Sequence, residues 1–256
     1  MTRPLAGRRV LVTRAAHQAG TLSDGLRTLG AEPVEVPVIE IQPPASYDPL
    51  DDALRKLGSY DWLILTSANT VHVIAERAAA FGMVFSEASP QVAAVGKATA
   101  EAARQAGFTV SVIPEAYVAE SLVSAVGDRI AGKRVLLARA AIARDVIPNA
   151  LRAAGAHIDV VDAYRNVVPT GATEQLRGAL SGGIDAATFT SSSSATHLAE
   201  VARAAGIPFP FAGLAAISIG PITSKTLRDL GWPPAAEADP HDIPGLISAV
   251  VKLMTR

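Results

Sequence analysis

The chain contains no cysteine, which excludes disulfides, thiolate nucleophiles and cysteine metal sites and fits a reducing compartment. It also lacks an excess of charge of either sign. With 23 Lys and Arg against 24 Asp and Glu there is no global basic field to attract nucleic acid, so an anionic ligand would need local donors. No window approaches the roughly 20 consecutive apolar residues of a membrane span. Met1-Thr2-Arg3-Pro4 runs straight into a strand pattern, and no signal peptide is expected. These absences lead us to expect a cytoplasmic protein with neither membrane nor nucleic acid as partner. Two nucleotide signatures are missing as well: there is no G-x-x-x-x-G-K-[ST], and no G-x-G-x-x-G follows the first strand. A P-loop enzyme and a standard dinucleotide dehydrogenase are therefore disfavoured. His17, His72, His157, His197 and His241 show no metal-ligand spacing, so we expect surface or packing roles for them and no metal.

What the chain does have is itself, twice. Arg9-Val10-Leu11-Val12-Thr13-Arg14 overlies Arg134-Val135-Leu136-Leu137-Ala138-Arg139, and Leu26 to Ala31 overlies Leu151 to Ala156. In nearly the same register Thr66-Ser67 falls on Thr190-Ser191, Gly96 on Gly220, Thr99 on Thr223, and Ser121 to Val126 on Gly245 to Val250. A chain of 256 residues that is 49% apolar suits two similar domains of about 125 residues, each able to bury a core. A cleft between two such domains is the first place to expect a ligand.

Short runs of Val, Ile and Leu alternate with Ala-rich stretches, the pattern of βαβ units around buried parallel sheets, so the expected class is α/β. The pattern predicts strands over Arg9 to Thr13, Glu32 to Pro37, Trp62 to Thr66, Gln91 to Val95, Thr109 to Ile113, Arg134 to Ala138, His157 to Ala163, Ala186 to Thr190 and Ala215 to Ile219. Helices are predicted over Gln18 to Leu29, Asn69 to Phe81, Ala98 to Ala106, Ala195 to Ala205 and Thr223 to Leu230, each ending near a Gly suited to a left-handed C-terminal cap. Pro43, Pro44 and Pro49, and Val168-Pro169-Thr170-Gly171, interrupt the pattern at equivalent places and are expected to be linkers or domain crossings.

In open α/β sheets ligands gather beyond the carboxyl ends of the strands, where helix N-termini present free amides. That rule singles out Arg14, Thr66, Ser67, Asn69, Gly96, Thr99, Arg139, Ser191, Ser193, Gly220 and Thr223. Each has a plainer reading. Ser, Thr and Asn after a strand can simply cap the next helix; one cap does not account for five consecutive hydroxyl residues, Thr190 to Ser194, and a polar-ligand cradle is favoured there. Glycines at 96 and 220 can serve a tight turn alone. Arg14 and Arg139 are either solvated charge or, at equivalent strand ends, carboxylate binders. Tyr164 stands where the other repeat has Ile39. It is either a packing residue with its hydroxyl in water or a proton or hydrogen-bond donor to a substrate.

The order and spacing of V-L-V-T-R, L-T-S-A-N-T-V, A-V-G-K-A-T, L-L-A-R, D-A-Y-R, T-F-T-S-S-S-S-A-T, S-I-G-P-I-T-S and I-P-G-L-I resemble the uroporphyrinogen-III synthase family over essentially the whole chain. Two departures are Ala140, where the family commonly has Gly, and Ser192, where it commonly has Pro. A cut read from the repeat alone would fall near Gly132. The resemblance implies instead two flavodoxin-like domains, one inserted in the other through a two-stranded linker: residues 1–37 with 167–256, and residues 40–164. It implies a cyclising lyase of heme and porphyrin biosynthesis acting on hydroxymethylbilane, a linear tetrapyrrole with eight carboxylates, and producing uroporphyrinogen III. No metal or organic cofactor is implied. On this reading Tyr164 is the catalytic proton donor and the strand-end residues above bind substrate. The protein is expected to be a monomer that meets porphobilinogen deaminase transiently. The alternatives are a non-catalytic two-lobed binder of a tetrapyrrole or other small molecule, and a tetrapyrrole-sensing regulator, disfavoured on the expectation that no DNA-binding module follows Arg256.

Overall fold

The computed structural model describes residues 3–85, 90–114 and 119–255. In chain order, β1 (Arg9–Val12), α1 (Ala16–Thr28), β2 (Glu32–Glu35) and β3 (Glu40–Gln42) come first. Then follow α2 (Asp48–Arg55), β4 (Trp62–Leu65), α3 (Ala68–Ala80), β5 (Gln91–Ala94), α4 (Lys97–Gln105), β6 (Val110–Val112), α5 (Ala119–Val126), β7 (Arg134–Ala140), α6 (Val146–Ala153) and β8 (His157–Val167). The last are α7 (Ala172–Ser181), β9 (Ala186–Phe189), α8 (Ser192–Ala204), β10 (Ala215–Ser218), α9 (Pro221–Asp229), β11 (Ala236–Glu237) and α10 (Ile243–Met254).

The chain divides into two compact units, Met1–Ile41 with Val167–Arg256, and Gln42–Asn166. The first unit holds a five-stranded sheet ordered β11-β10-β9-β1-β2, with every strand pair parallel. Counted within the unit this is the 2-1-3-4-5 order of flavodoxin-like sheets. In the second unit the order is β3-β8-β7-β4-β5-β6. With β7 and β8 in the places of β1 and β2, it is the same order again. Each unit thus takes its first two core strands from one repeat and its last three from the other. A division near Gly132 would cut through this exchange; the chain instead crosses beside β3 and at the end of β8, which neighbour each other in the sheet.

Both faces of a parallel sheet are covered by crossover helices, so its strands are apolar throughout. In the first unit alternate residues point to opposite faces. Leu11, Ala187, Phe189 and Ala216 pack with Leu176 of α7, Leu198 of α8 and Leu227 of α9, while Val10, Val12, Ala186 and Ile217 pack with Leu22 and Leu26 of α1 and Leu246 and Val250 of α10. In the second unit Trp62, Ile64, Val135 and Leu137 meet Leu122 and Val126 of α5 and Leu151 of α6. The glycines predicted to end helices, Gly30, Gly82, Gly107, Gly206 and Gly231, all adopt positive φ.

The helices that leave the strand ends start earlier than the apolar periodicity predicts. α8 begins at Ser192 rather than Ala195, and α9 at Pro221 rather than Thr223. The cause is local: Ser191 and Ser194 form a reciprocal capping box, and Pro221 has a φ suited to a first turn and no amide to leave unpaired.

Candidate functional site

In the second unit the candidate residues follow adjacent strands at one edge of the sheet. Thr66, Ser67 and Asn69 come after β4, Gly96 and Thr99 after β5, Arg139 lies at the end of β7, and Tyr164 near the end of β8. Tyr164 owes its orientation to a β-bulge. Arg139 pairs with Asp162 and Ala140 with Tyr164, so Ala163 is passed over. Strict alternation would place Tyr164 on the face of exposed Asp162; with the extra residue, Ala163 and Tyr164 are both buried. Bulges re-aim side chains in this way. The phenol, only 6% exposed as a residue, lies 3.1 Å from Ser67 Oγ.

Ser67 is also the N-cap of α3: its Oγ accepts from the Thr70 amide at 3.1 Å and lies 3.0 Å from Thr70 Oγ1. Thr70, fully buried, is not among the residues the sequence singles out, because it reads as an ordinary first-turn position. α4, in contrast, starts from Gly96 without any side-chain cap, so its first amides are free to meet an anion. Arg139 is held by its own chain. Its Nη2 donates to Asp145 at 2.8 Å and its Nη1 to the Arg144 carbonyl at 3.2 Å.

The first unit repeats the plan without the tyrosine. Arg14 follows β1, Ser191 and Ser193 follow β9, and Gly220 and Thr223 follow β10, three neighbouring strands. Ser191 Oγ accepts the Ser194 amide at 3.1 Å, while Ser194 Oγ donates to the Ser191 carbonyl at 2.7 Å. Ser192 accepts from Thr226 Oγ1 at 2.9 Å, tying α8 to α9. Of the five consecutive hydroxyl residues, then, Ser191 and Ser194 form the cap and Ser192 joins two helices. α9 again starts from a glycine, Gly220, with no side-chain cap. Arg14 Nε is buried without a hydrogen-bond partner, and burial pushes its guanidinium down from the ordinary arginine range, though not out of its charged state near neutral pH.

Two histidines have structural roles that spacing did not reveal. His197 Nδ1 lies 3.0 Å from the Val38 carbonyl. His241 Nδ1 lies 2.7 Å from the Ala238 carbonyl, and its ring sits beside Gly220, where a Cβ would meet the imidazole at 3.3 Å. A ring nitrogen can only donate to a carbonyl, which leaves His241 Nε2 for other partners.

The family model described as uroporphyrinogen-III synthase HemD matches residues 5–248. The chain is 35% identical over 252 residues to the uroporphyrinogen-III synthase of Synechococcus elongatus, covering 96% of each. Its structure is similar to that of a mutant uroporphyrinogen III synthase from the extremely thermophilic bacterium Thermus thermophilus, with a TM-score of 0.69 at 21% identity, covering 97% of this chain and 98% of that one. It is similar also to uroporphyrinogen-III synthetase from Helicobacter pylori, with a TM-score of 0.60 at 18% identity over 96% and 99% of the two chains. At such identities the structural likenesses carry the fold, while the family match and the Synechococcus relative carry the relationship. The chain belongs to the uroporphyrinogen-III synthase family.

Proposed function

We propose that this protein is a uroporphyrinogen-III synthase, a cyclising lyase that converts hydroxymethylbilane to uroporphyrinogen III with loss of water and inversion of the last pyrrole ring. The observation that carries the residue roles is the buried phenol of Tyr164 against the Ser67 hydroxyl at the carboxyl edge of the second unit's sheet. Tyr164 donates its proton to the terminal hydroxyl of the bilane, which departs as water while a pyrrole nitrogen lone pair completes the electrophilic azafulvene. The substituted carbon of the last ring attacks that methylene to give a spiro intermediate. Fragmentation and closure through the ring's other α-carbon release a proton, which restores the phenol. The electron-rich pyrroles supply the nucleophile; the protein orients the chain and stabilises developing charge.

The carboxylates of the substrate are assigned to the uncapped amides after Gly96 and Gly220, to Arg14 and Arg139, and to the hydroxyl and amide groups of Thr66, Ser67, Asn69, Thr99, Ser191, Ser193 and Thr223. Free helix N-termini favour anions by dipole and by unpaired N–H groups. On the same reading, residues 1–37 with 167–256 form one domain and 40–164 the other. The protein works in the cytoplasm as a monomer, with porphobilinogen deaminase the source of its substrate. No helix among the described residues is long and apolar enough to cross a membrane. The family match disfavours a non-catalytic binding protein.

The test is a coupled assay in which porphobilinogen deaminase generates hydroxymethylbilane, the protein is added, and the oxidised porphyrin isomers are separated. Predominantly type III product is expected. Type I product alone, from folded protein and fresh substrate, would remove the synthase reading and put the binding protein in its place.

A further inference from the structure

We propose that Thr70 is a positioning residue for Tyr164: its hydroxyl donates to Ser67 Oγ, which donates to the phenol oxygen, leaving the phenol's own proton free for the departing hydroxyl. This rests on the reading of Tyr164 as proton donor. Valence alone narrows the choice. Ser67 Oγ has one proton and two lone pairs. The Thr70 amide, at 3.1 Å, takes one lone pair. One lone pair and one proton remain for two hydroxyls, Thr70 Oγ1 at 3.0 Å and Tyr164 OH at 3.1 Å. One of these must donate to Ser67 and the other must accept from it.

Burial sets the direction. Thr70 is fully buried, whereas Tyr164 keeps 6% of its surface exposed; a buried hydroxyl proton needs an acceptor, and of the two only the phenol's is left for a substrate to accept. At the equivalent place in the other unit, Ser194 donates to the Ser191 carbonyl at 2.7 Å. Among the described residues the hydroxyl of Thr70 bonds Ser67 Oγ instead. With Thr70 donating, the remaining proton of Ser67 points to Tyr164. A donor into the phenol oxygen stabilises the phenolate formed as the proton leaves, and each bond in the chain polarises the next. In the reverse direction the phenol's proton would be spent on Ser67 and the Thr70 proton left without an acceptor.

The experiment is a double-mutant cycle of Thr70→Val and Tyr164→Phe, with circular dichroism and thermal melts to show that each variant is folded. Thr70→Val is expected to lower kcat by about tenfold, the scale of one lost neutral hydrogen bond, with KM unchanged and no further loss in the Tyr164→Phe background. Should Thr70→Val not fold, Thr70→Ala carries the same cycle. A wild-type kcat in Thr70→Val, or an equal loss with and without the phenol, overturns the proposal and leaves Tyr164 as donor. Full activity in Tyr164→Phe instead removes the donor reading beneath it.

Discussion

Arg14 and Arg139 stand at equivalent strand ends of the two repeats, and the Nε of each is buried without a hydrogen-bond partner, yet Arg139 is braced through its Nη atoms by Asp145 at 2.8 Å and the Arg144 carbonyl at 3.2 Å. An arginine already bridging its own loop has fewer donors to offer a carboxylate, so the two should separate kinetically. Hydrogen bonds to a charged group are worth about 1.5–3 kcal/mol. Arg14→Ala is therefore expected to raise KM by roughly 10- to 100-fold. Arg139→Ala should act chiefly on the order of the loop carrying Arg144 and Asp145. Steady-state kinetics on both variants check this; an unchanged KM in Arg14→Ala would show that its guanidinium does not meet the substrate.

Ser191 and Ser67 cap equivalent helices, but only Ser67 has a tyrosine against it. Replacing an N-cap serine by alanine costs about 1 kcal/mol, so Ser191→Ala is expected to destabilise the first unit by that amount. The chain has two tryptophans, and they report separately, because Trp232 lies in the core of the first unit and Trp62 in that of the second. In Ser191→Ala the denaturation midpoint read from Trp232 in a Trp62→Phe background should fall. The midpoint read from Trp62 in a Trp232→Phe background should stay where it is. Equal shifts of both would mean that the units unfold as one.

The parts of the fold legible in the sequence are those where burial leaves a continuous apolar run. Val10-Leu11-Val12 and Trp62 to Leu65 are buried on both faces and read as strands without ambiguity. β3 (Glu40–Gln42) and β11 (Ala236–Glu237) give no such signal, because each is a short edge strand without an apolar run. The repeat identifies equivalent residues, but it cannot say that each sheet combines strands from both repeats, since that depends on pairing between distant segments. Tyr164 could be suspected from its mismatch with Ile39. Its inward orientation could not, because it depends on a bulge in the β7–β8 register. Thr70 and His241 gave no signal at all: one reads as a first-turn threonine, and the other acquires its neighbour Gly220 only when the chain folds.

Asp51, at the start of α2, is buried and accepts from Arg77 of α3 at 2.8 Å (Nε) and 2.5 Å (Nη2). That hydrogen bonding to the guanidinium, more than opposing burial, holds its carboxyl below the usual aspartate range. A carboxyl depressed on folding stabilises the native state above its unfolded pKa, about 4, and that contribution is lost as pH falls through the folded value. The second unit is therefore expected to lose stability below about pH 4. Asp51→Asn should be less stable than the parent near neutrality and show a smaller fall on acidification. Urea midpoints of both proteins, followed through Trp62 as pH is lowered, test this; parallel curves would mean that Asp51 does not carry the acid sensitivity.

Gly245 and Gly20 should respond to alanine in opposite directions, although both lie within helices. Gly245 is in the first turn of α10, its amide bonded to the Asp242 cap at 2.8 Å, and a Cβ there would run into the carbonyl oxygen of Pro240. Backbone cannot swing aside as a side chain can, and overpacking of this kind costs about 1–3 kcal/mol or more. Gly20, exposed in α1, has nothing within 4 Å of the same added atom. There alanine restricts the unfolded chain and favours the helix by about 0.5–1 kcal/mol. Thermal melts should place Gly245→Ala below the parent and Gly20→Ala above it. If Gly245→Ala melted with the parent, the start of α10 would have to shift away from Pro240 without cost, and the tight turn between Pro240 and Gly245 would no longer explain why glycine stands there.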